Sequence, residues 1–359
     1  MVLCDNALRR VRLERQRFCP PANEADYDRL FRDMSPVRTP YWCCPGSPPE
    51  LSFRAAFAPD GGAARNFDRR SRRELVKGRF QGGGIAYVDE ADLALYGAIY
   101  RKDAALRPDD ARLLDLLRRE GPMTVAALRE FTGLAAKAIT PMLHRLQEMF
   151  LVFEDQADSE WDRAWYPFET EFPSLAWPER EDAIERALLR FVRLHGAADE
   201  TMARSFFGLP LRDLRAALSA LTARGSLLSA VRQDGSPALL LPEDVSLLTA
   251  PGDVPPRGVF ALHRNDFLVK SFEAVLTSAF KKDGQEPLFY LLIDGAFQGA
   301  VIGRFRNGPY DLDDIVLTLP PEMPSSAERR FFFGSVCLKT SVTANRPIST
   351  GTTEKPPVS

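Results

Sequence analysis

The sequence has few of the residues that build metal centres and disulfide frameworks. Its 359 residues include three histidines and five cysteines, and the cysteines lack the paired spacing of a zinc site. We therefore expect no metal, and a reducing cytoplasm as the location. No apolar run approaches the roughly 20 residues of a membrane span, and the first residues lack a signal-peptide core. With 45% apolar and 27% charged residues, the composition predicts a folded chain without membrane contact.

Positive charge is concentrated at the N-terminal end, although the net charge is only −2. Residues 1–80 hold 16 Lys and Arg against 10 Asp and Glu, whereas the other 279 residues hold 31 against 39. Concentrated arginine suits a polyanion such as nucleic acid, but a solvated helix face explains it equally well. The candidate DNA contacts in this part of the chain are Arg9, Arg12, Arg69, Arg70, Arg72, Arg73, Arg79 and Gln81.

The chain contains an internal duplication with a spacing of 75 residues. Residues 112–152 align with 187–227 without a gap, so that Gly121 falls on Gly196 and Gly133 on Gly208. The other matching pairs are Leu113/Leu188, Leu114/Leu189, Arg129/Arg204, Phe131/Phe206, Leu134/Leu209, Leu143/Leu218 and Leu146/Leu221. A match over about forty positions indicates a duplicated structural unit.

Each copy has the pattern of three helices followed by a β-hairpin. In the second copy, helical periodicity covers 182–194 and 201–207, and Pro210 begins a third helix. Strand-like runs at 226–233 and 238–241 then flank a turn dipeptide, Asp234-Gly235. This order is typical of a winged helix-turn-helix domain.

The first copy repeats the pattern with one ambiguity. Its hairpin pairs 151–154 with 161–166, and Pro141 either lies near the start of the third helix at Thr140 or kinks that helix. In helix-turn-helix proteins the helix after the turn enters the major groove, which makes Lys137, His144 and Arg145 candidate DNA contacts. The alternatives are that these residues form a solvated outer face, or that the domain binds another protein.

The flanking segments predict a third helical unit and a small sheet. Before the duplication we expect helices over 8–17, 26–34, 69–77 and 92–100 and a strand over 79–88. After the duplication we expect strands over 288–293, 299–306 and 315–319, with turns at Asp294-Gly295 and Asn307-Gly308. The fold class is therefore mainly α with small β elements (α+β). The expected domains are a winged-helix-like unit at 1–105, winged helices at 106–178 and 179–250, an antiparallel sheet or partly open barrel at 258–320, and a disordered tail at 321–359.

In its order of elements the chain resembles the winged-helix DNA glycosylases of the crosslink-repair YcaQ/AlkZ type. The matching segments are 8–16 (LRRVRLERQ), 75–88 (LVKGRFQGGGIAYV), the duplicated units, 262–270 (LHRNDFLVK) and 291–304 (LLIDGAFQGAVIGR). The resemblance implies a monomeric clamp on double-stranded DNA that excises N-alkylated purines without a metal or organic cofactor. It also implies a catalytic pair of polar residues, Gln-x-Gln or Gln-x-Asp, on the segment after the second helix.

The sequence departs from the family pattern at that pair. Residues 34–41 read MSPVRTPY, which places Arg38 and Pro40 at the two catalytic positions. An arginine cannot accept a hydrogen bond and would repel a developing oxocarbenium, and proline has no polar side chain. Glycines 82–84 also replace the family's Arg-Gly-Thr, and Ala86 replaces a common histidine.

Three functions remain open at this stage. The first is a DNA-binding relative of the alkylpurine glycosylases that has lost the hydrolytic step, with Arg38 as a phosphate contact and Tyr41 stacking at a lesion. The second is an active glycosylase with another polar residue, for which Asp33, Glu50 and Gln81 are the candidates. The third is a winged-helix transcriptional regulator. In the final sheet Arg304 and Arg306 alternate along one strand and share a face that would contact the DNA backbone. For Asp266 we expect a structural role.

Overall fold

A computed structural model describes residues 1–40, 49–155, 163–281, 284–305 and 311–318. Residues 1–317 form one compact unit in which helices predominate and the strands form small antiparallel sheets. The predicted α+β class is thus confirmed. The described helices include none with the length and apolar character needed to cross a membrane. The predicted tail at 321–359 lies outside the described residues.

The N-terminal segment consists of three helices, a hairpin and a fourth helix: α1 (Asp5–Arg15), α2 (Glu24–Met34), α3 (Ala63–Ser71), β1 (Leu75–Arg79), β2 (Ile85–Asp89) and α4 (Leu93–Tyr100). The expected helix over 69–77 and the expected strand over 79–88 are both wrong. The helix ends at Ser71, and β1 pairs with β2 from Leu75 onward. Gly82 and Gly83, with φ of 65° and 79°, reverse the chain between the two strands.

The first copy of the duplication has the expected order of elements: α5 (Pro108–Glu120), α6 (Val125–Thr132), α7 (Ala136–Glu148), β3 (Val152–Glu154), β4 (Trp165–Pro167) and a short α8 (Phe168–Glu171). Pro141 lies inside α7, so the third helix begins before Thr140. The side chain of Thr124 accepts a hydrogen bond from Ala127 N at the start of α6, and Gly133 ends that helix with a φ of 69°.

The second copy repeats this order with α9 (Arg180–His195), β5 (Ala197–Ala198), α10 (Glu200–Phe207), α11 (Leu211–Ala223), β6 (Leu228–Val231), β7 (Pro237–Leu240) and α12 (Val245–Thr249). Its α10 has matching ends: Asp199 accepts from Met202 N, and Gly208 has a φ of 62°. The duplicated sequence therefore folds into duplicated elements. That each copy acts as a winged helix stays a prediction.

The last segment is an antiparallel sheet with one helix: β8 (Val259–His263), α13 (Phe267–Phe280), β9 (Glu286–Ile293), β10 (Ala296–Arg304) and β11 (Asp311–Leu317). The strands lie in the order β11-β10-β9-β8. Of the two predicted hairpin turns, Asp294-Gly295 joins β9 to β10, and Asn307-Gly308 lies outside the described residues. Strand β8 and helix α13 were not predicted.

The largest apolar core is shared between the N-terminal segment and the second copy. Helices α1, α2 and α4 all pack on α9, and one buried cluster contains Tyr27 and Phe31 together with Ile184 and Phe191. The first copy has a core of its own, with residues such as Leu113, Leu143 and Trp165. The N-terminal segment thus depends on α9 for its packing, and the domain boundaries stay a prediction.

Candidate nucleic-acid interface

The segment with the two expected catalytic positions is held on both sides by hydrogen bonds. Val37 and Tyr87 exchange two backbone hydrogen bonds of 2.8 Å, which attach the segment to β2. On the other side Asn265 Nδ2 donates to the carbonyl oxygens of Thr39 and Pro40, at 2.9 and 3.2 Å. The backbone at positions 38 and 40 is therefore positioned by β2 on one side and by the loop before α13 on the other.

The side chains at positions 38 and 40 present no hydrogen-bond acceptor. The Arg38 guanidinium donates to the carbonyl oxygen of Gln81 at 3.0 Å, and Pro40 is buried. Burial lowers the pKa of Arg38, and the nearby Glu273 opposes that shift. A Cβ on Gly84 would lie 3.2 Å from Arg38 Nη2, so a glycine at this position leaves room for the arginine. Arg38 and Gly84, at which the sequence analysis expects departures from the family pattern, are thus neighbours in space.

Among the three alternative polar residues, Gln81 is the one that contacts Arg38. Its side chain is 6% exposed, and within the described part of the chain its buried Oε1 has no hydrogen-bond partner. Glu50 accepts from Ser52 Oγ at 2.6 Å, and burial raises the pKa of Glu50 to about 7. Burial likewise raises the pKa of Asp33, whose charged neighbours include Arg190 and Asp92.

Several further charged side chains surround Arg38. We define the Arg38 cluster as Arg38, Arg79, Lys102, Arg264 and Lys270 with the carboxylates Glu148 and Glu273. Arg79 donates to the Gly83 carbonyl at 3.1 Å and Lys102 Nζ lies 2.7 Å from Glu148, while a Cβ on Gly83 would stand 2.7 Å from the Glu148 carboxylate. Lys270 forms an ion pair with Glu273. The Glu273 carboxylate raises the pKa of Arg38, and the charge of Arg38 lowers the pKa of Lys270.

The Arg38 cluster draws on parts of the chain that are distant in sequence. Its members come from the N-terminal segment, from the end of α7 in the first copy, and from α13 and the loop before it. Sequence reasoning missed Lys102, Glu148, Arg264, Lys270 and Glu273 as site residues. The one available signal was the segment 262–270, which contains Arg264 and Lys270.

The arginines expected to contact DNA at positions 69, 70, 72 and 73 are buried or paired with carboxylates. Arg69 is 3% exposed and lies 2.8 Å from Asp89, and Arg70 is fully buried beside the Phe67 ring and hydrogen-bonds with Tyr87. Arg73 pairs with Glu171. Arg72 is exposed but pairs with Glu74 at 2.7 Å. A buried or paired guanidinium is not available to phosphate, so this arginine run does not form a basic surface.

Helix α1 contributes two of the predicted contacts. The Arg12 guanidinium lies 5.3 Å from the centre of the Phe272 ring, and burial lowers the pKa of Arg12 to about 10. Arg9 is half-buried next to Gly295.

The predicted DNA contacts on α7 and on the final sheet differ in their exposure and in their pairing. Lys137 is exposed, whereas Arg145 makes two hydrogen bonds of 2.6 and 2.9 Å with Asp110. His144 is half-buried, 6.4 Å between ring centres from Trp165, and burial lowers its pKa. Arg304 is exposed at the end of β10. Tyr41 and Arg306 lie outside the described residues.

Comparison with known proteins identifies the family to which this fold belongs. A family model described as AlkZ-like DNA glycosylase matches residues 100–299, so the chain belongs to the AlkZ-like DNA glycosylase family. Among solved structures, the DNA glycosylase AlkZ of Streptomyces sahachiroi is similar, with a TM-score of 0.66 and 16% identity over 97% of this chain and 99% of that chain. At that level of identity the likeness establishes the fold. No curated protein matches the chain.

Proposed function

We propose that this chain binds damaged duplex DNA, with alkylated purines as the class of lesion, through the Arg38 cluster and as a monomer. We also propose that positions 38 and 40 no longer catalyse hydrolysis of the N-glycosidic bond. Family membership supports a function related to DNA glycosylases. The proposed lesion binding and the proposed loss of catalysis rest on the residues of the Arg38 cluster.

The observation that carries the proposal is the chemistry of Arg38 and Pro40. Removal of an alkylated purine leaves a positively charged sugar, which a carboxylate or an amide oxygen stabilises while it orients the attacking water. Arg38 supplies a positive charge at that point, and Pro40 supplies a buried ring. An arginine there weakens the chemical step and strengthens the contact with phosphate.

The charges around Arg38 support DNA binding. Arg264, Lys102 and Lys270 are each paired with a carboxylate. In the described part of the chain Arg38 and Arg79 donate to neutral acceptors without an ion pair, so the charges of these two guanidinium groups attract phosphate. A guanidinium has five N–H donors, of which the described contact with Gln81 uses one. Arg38 can therefore keep that bond and still donate to a phosphate oxygen. Contacts of this kind position a protein on the duplex without reading its sequence.

One substrate separates binding from chemistry. A labelled duplex carrying a single N7-alkylguanine is incubated with the intact chain, and both its retention on a native gel and its alkali-labile strand breaks are measured. We expect retention above that of the undamaged duplex, with breaks no higher than spontaneous depurination. Breaks above that control would refute the loss of catalysis, and equal retention of both duplexes would refute lesion recognition.

A restored pair gives the matched variant. Arg38→Gln with Pro40→Gln returns two amide side chains to the family positions, on a backbone held by Val37 and Asn265. We expect this variant to produce strand breaks that the unaltered chain does not. Arg38→Ala with Pro40→Ala removes the arginine without restoring an acceptor, and should produce none.

A second candidate function is an active glycosylase that uses Gln81. Arg38 contacts the backbone carbonyl of Gln81, and the Gln81 Oε1 lacks a described partner, so this amide oxygen could accept from a water molecule that attacks the sugar C1′. The C1′–N bond would break as the alkylated base leaves with the electron pair, and a water proton would pass to solvent. If the unaltered chain gives strand breaks, Gln81→Ala should abolish them under this hypothesis.

A further inference from the structure

The duplication places the same pair of apolar residues on two copies of one helix-turn-helix face. Phe206 and Leu209 in the second copy are 5% and 7% exposed. The residues at the same positions in the first copy, Phe131 and Leu134, are 62% and 41% exposed. One face is thus covered and the other open, although both turns are formed by the same elements and end in a left-handed glycine.

Helix α13 covers the face in the second copy. The ring of Phe267 lies 4.8 Å from that of Phe206 and 5.8 Å from that of Phe191, measured between ring centres. Ser205 Oγ donates to the backbone oxygen of Lys270 at 2.6 Å, which fixes the helix along α10. The covering element is therefore an amphipathic helix that inserts one aromatic side chain and places a lysine three residues later beside α10.

We propose that the open face of the first copy docks an amphipathic helix from a partner protein, in the way that α13 docks on the second copy. We call this surface the Phe131 face, formed by Glu130, Phe131, Leu134 and Ala135, all exposed. The partner helix presents an aromatic residue to Phe131 and Leu134. Burial of exposed aromatic and branched side chains in this way is the usual source of affinity for a helix in a groove.

A charge difference between the copies specifies the partner further. Glu130 occupies the position of Ser205, whose hydroxyl donates to the backbone carbonyl of Lys270 in α13, while the Lys270 ammonium pairs with Glu273. A carboxylate cannot donate to a carbonyl oxygen, so Glu130 instead favours a cationic side chain on the docked helix, about one turn after its aromatic residue. The expected motif is thus an aromatic residue followed three positions later by Lys or Arg.

The chemistry of the Phe131 face favours protein over DNA. Phe131, Leu134 and Ala135 have no side-chain donor for a phosphate, and Glu130 repels one. On the adjacent α7, Arg145 is already paired with Asp110, and Lys137 is the exposed cation. A large exposed apolar pair next to a carboxylate is typical of a protein interface.

A peptide copy of α13 is the probe. The peptide of residues 266–281, DFLVKSFEAVLTSAFK, is labelled and titrated with the intact chain while fluorescence anisotropy is measured. We expect saturable binding, weakened about tenfold or more by Phe131→Asp or Leu134→Asp, because central apolar contacts dominate such interfaces. Glu130→Lys should weaken it less. Val254→Asp, at a residue that is 75% exposed elsewhere, should leave it unchanged.

Controls keep the outcomes distinct. The peptide with Phe267→Ala should not bind, and circular dichroism should show that the exposed-site variants remain folded. Absence of peptide binding, or equal binding by Phe131→Asp, would overturn the proposal. It would also be overturned if Phe131→Asp lowered affinity for undamaged duplex DNA instead, or if sedimentation showed that the face joins two copies of this chain.

Discussion

Removal of the Asp266 carboxylate should destabilise the protein more than removal of any exposed charge. Arg54 and Asp266 are 0% and 3% exposed and make two hydrogen bonds of 2.6 and 3.0 Å. The pair joins the N-terminal segment to the start of α13, next to the Asn265 that holds positions 39 and 40. Any loss at this point therefore also loosens the Arg38 segment.

The magnitude follows from the burial of both partners. Loss of one partner of a buried ion pair costs roughly 3–5 kcal/mol, because it leaves the other charge unpaired. Asp266 Oδ1 also accepts from Leu268 N at 2.8 Å, and loss of a helix N-cap adds about 1 kcal/mol. We expect Asp266→Ala to lower the free energy of unfolding by about 4–6 kcal/mol, a large part of the roughly 5–15 kcal/mol of a typical domain.

Urea denaturation followed by fluorescence and circular dichroism measures this loss. Arg54→Met with Asp266→Leu removes both charges and should recover most of the stability, since an apolar pair replaces a buried ionic one without an unpaired charge. Arg118→Gln, which breaks an exposed pair with Glu169, should change the stability by less than about 0.5 kcal/mol. If Asp266→Ala lost no more than Arg118→Gln, the reasoning from burial would be refuted.

Two further predictions concern salt and pH. Arg38→Gln and Arg79→Gln should each reduce the slope of log affinity for duplex DNA against log salt by about 0.9, whereas Arg72→Gln and Lys102→Gln, whose cations are already paired with Glu74 and Glu148, should not; equal slopes in all four would remove the Arg38 cluster from the interface. Burial lowers the pKa of His263 to about 4 against about 6.5 when unfolded, so the unfolded chain binds the extra proton and stability falls as pH drops from 6.5 towards 4, by roughly 3 kcal/mol at most. Urea denaturation at pH 7 and pH 5 measures that fall, and His263→Gln should reduce it but not abolish it, because burial also lowers the pKa of His195; an unchanged fall in the variant would assign the effect to other groups.

Local sequence patterns predicted many of the elements of the fold. The two copies of the duplication have the order of helices and strands that their periodicity and turn residues indicate, because these signals act over a few residues. The departures occur where packing overrides local preference. Residues 75–79 form a strand because they pair with 85–89, across a turn that the glycines allow.

The resemblance located the segment of the candidate site but not its surroundings. The assignment of positions 38 and 40 as the catalytic pair stays a prediction from the sequence, and their lack of a side-chain acceptor follows from residue type alone. The approach of Lys270 and Glu273 to Arg38 joins positions more than 230 residues apart, and no local pattern encodes it. The same limit applies to the arginines, since the sequence counts charges without revealing which are paired.

The sequence by itself determined the duplication, the α+β class, the family and the chemical types at positions 38 and 40. The tertiary structure decided which side chains are exposed and so available to DNA or to a partner protein. Arg70 is buried while Lys137 is exposed, and Phe206 is covered by α13 while its duplicate Phe131 is not. Availability depends on which distant element packs against a side chain, and that is a property of the folded chain.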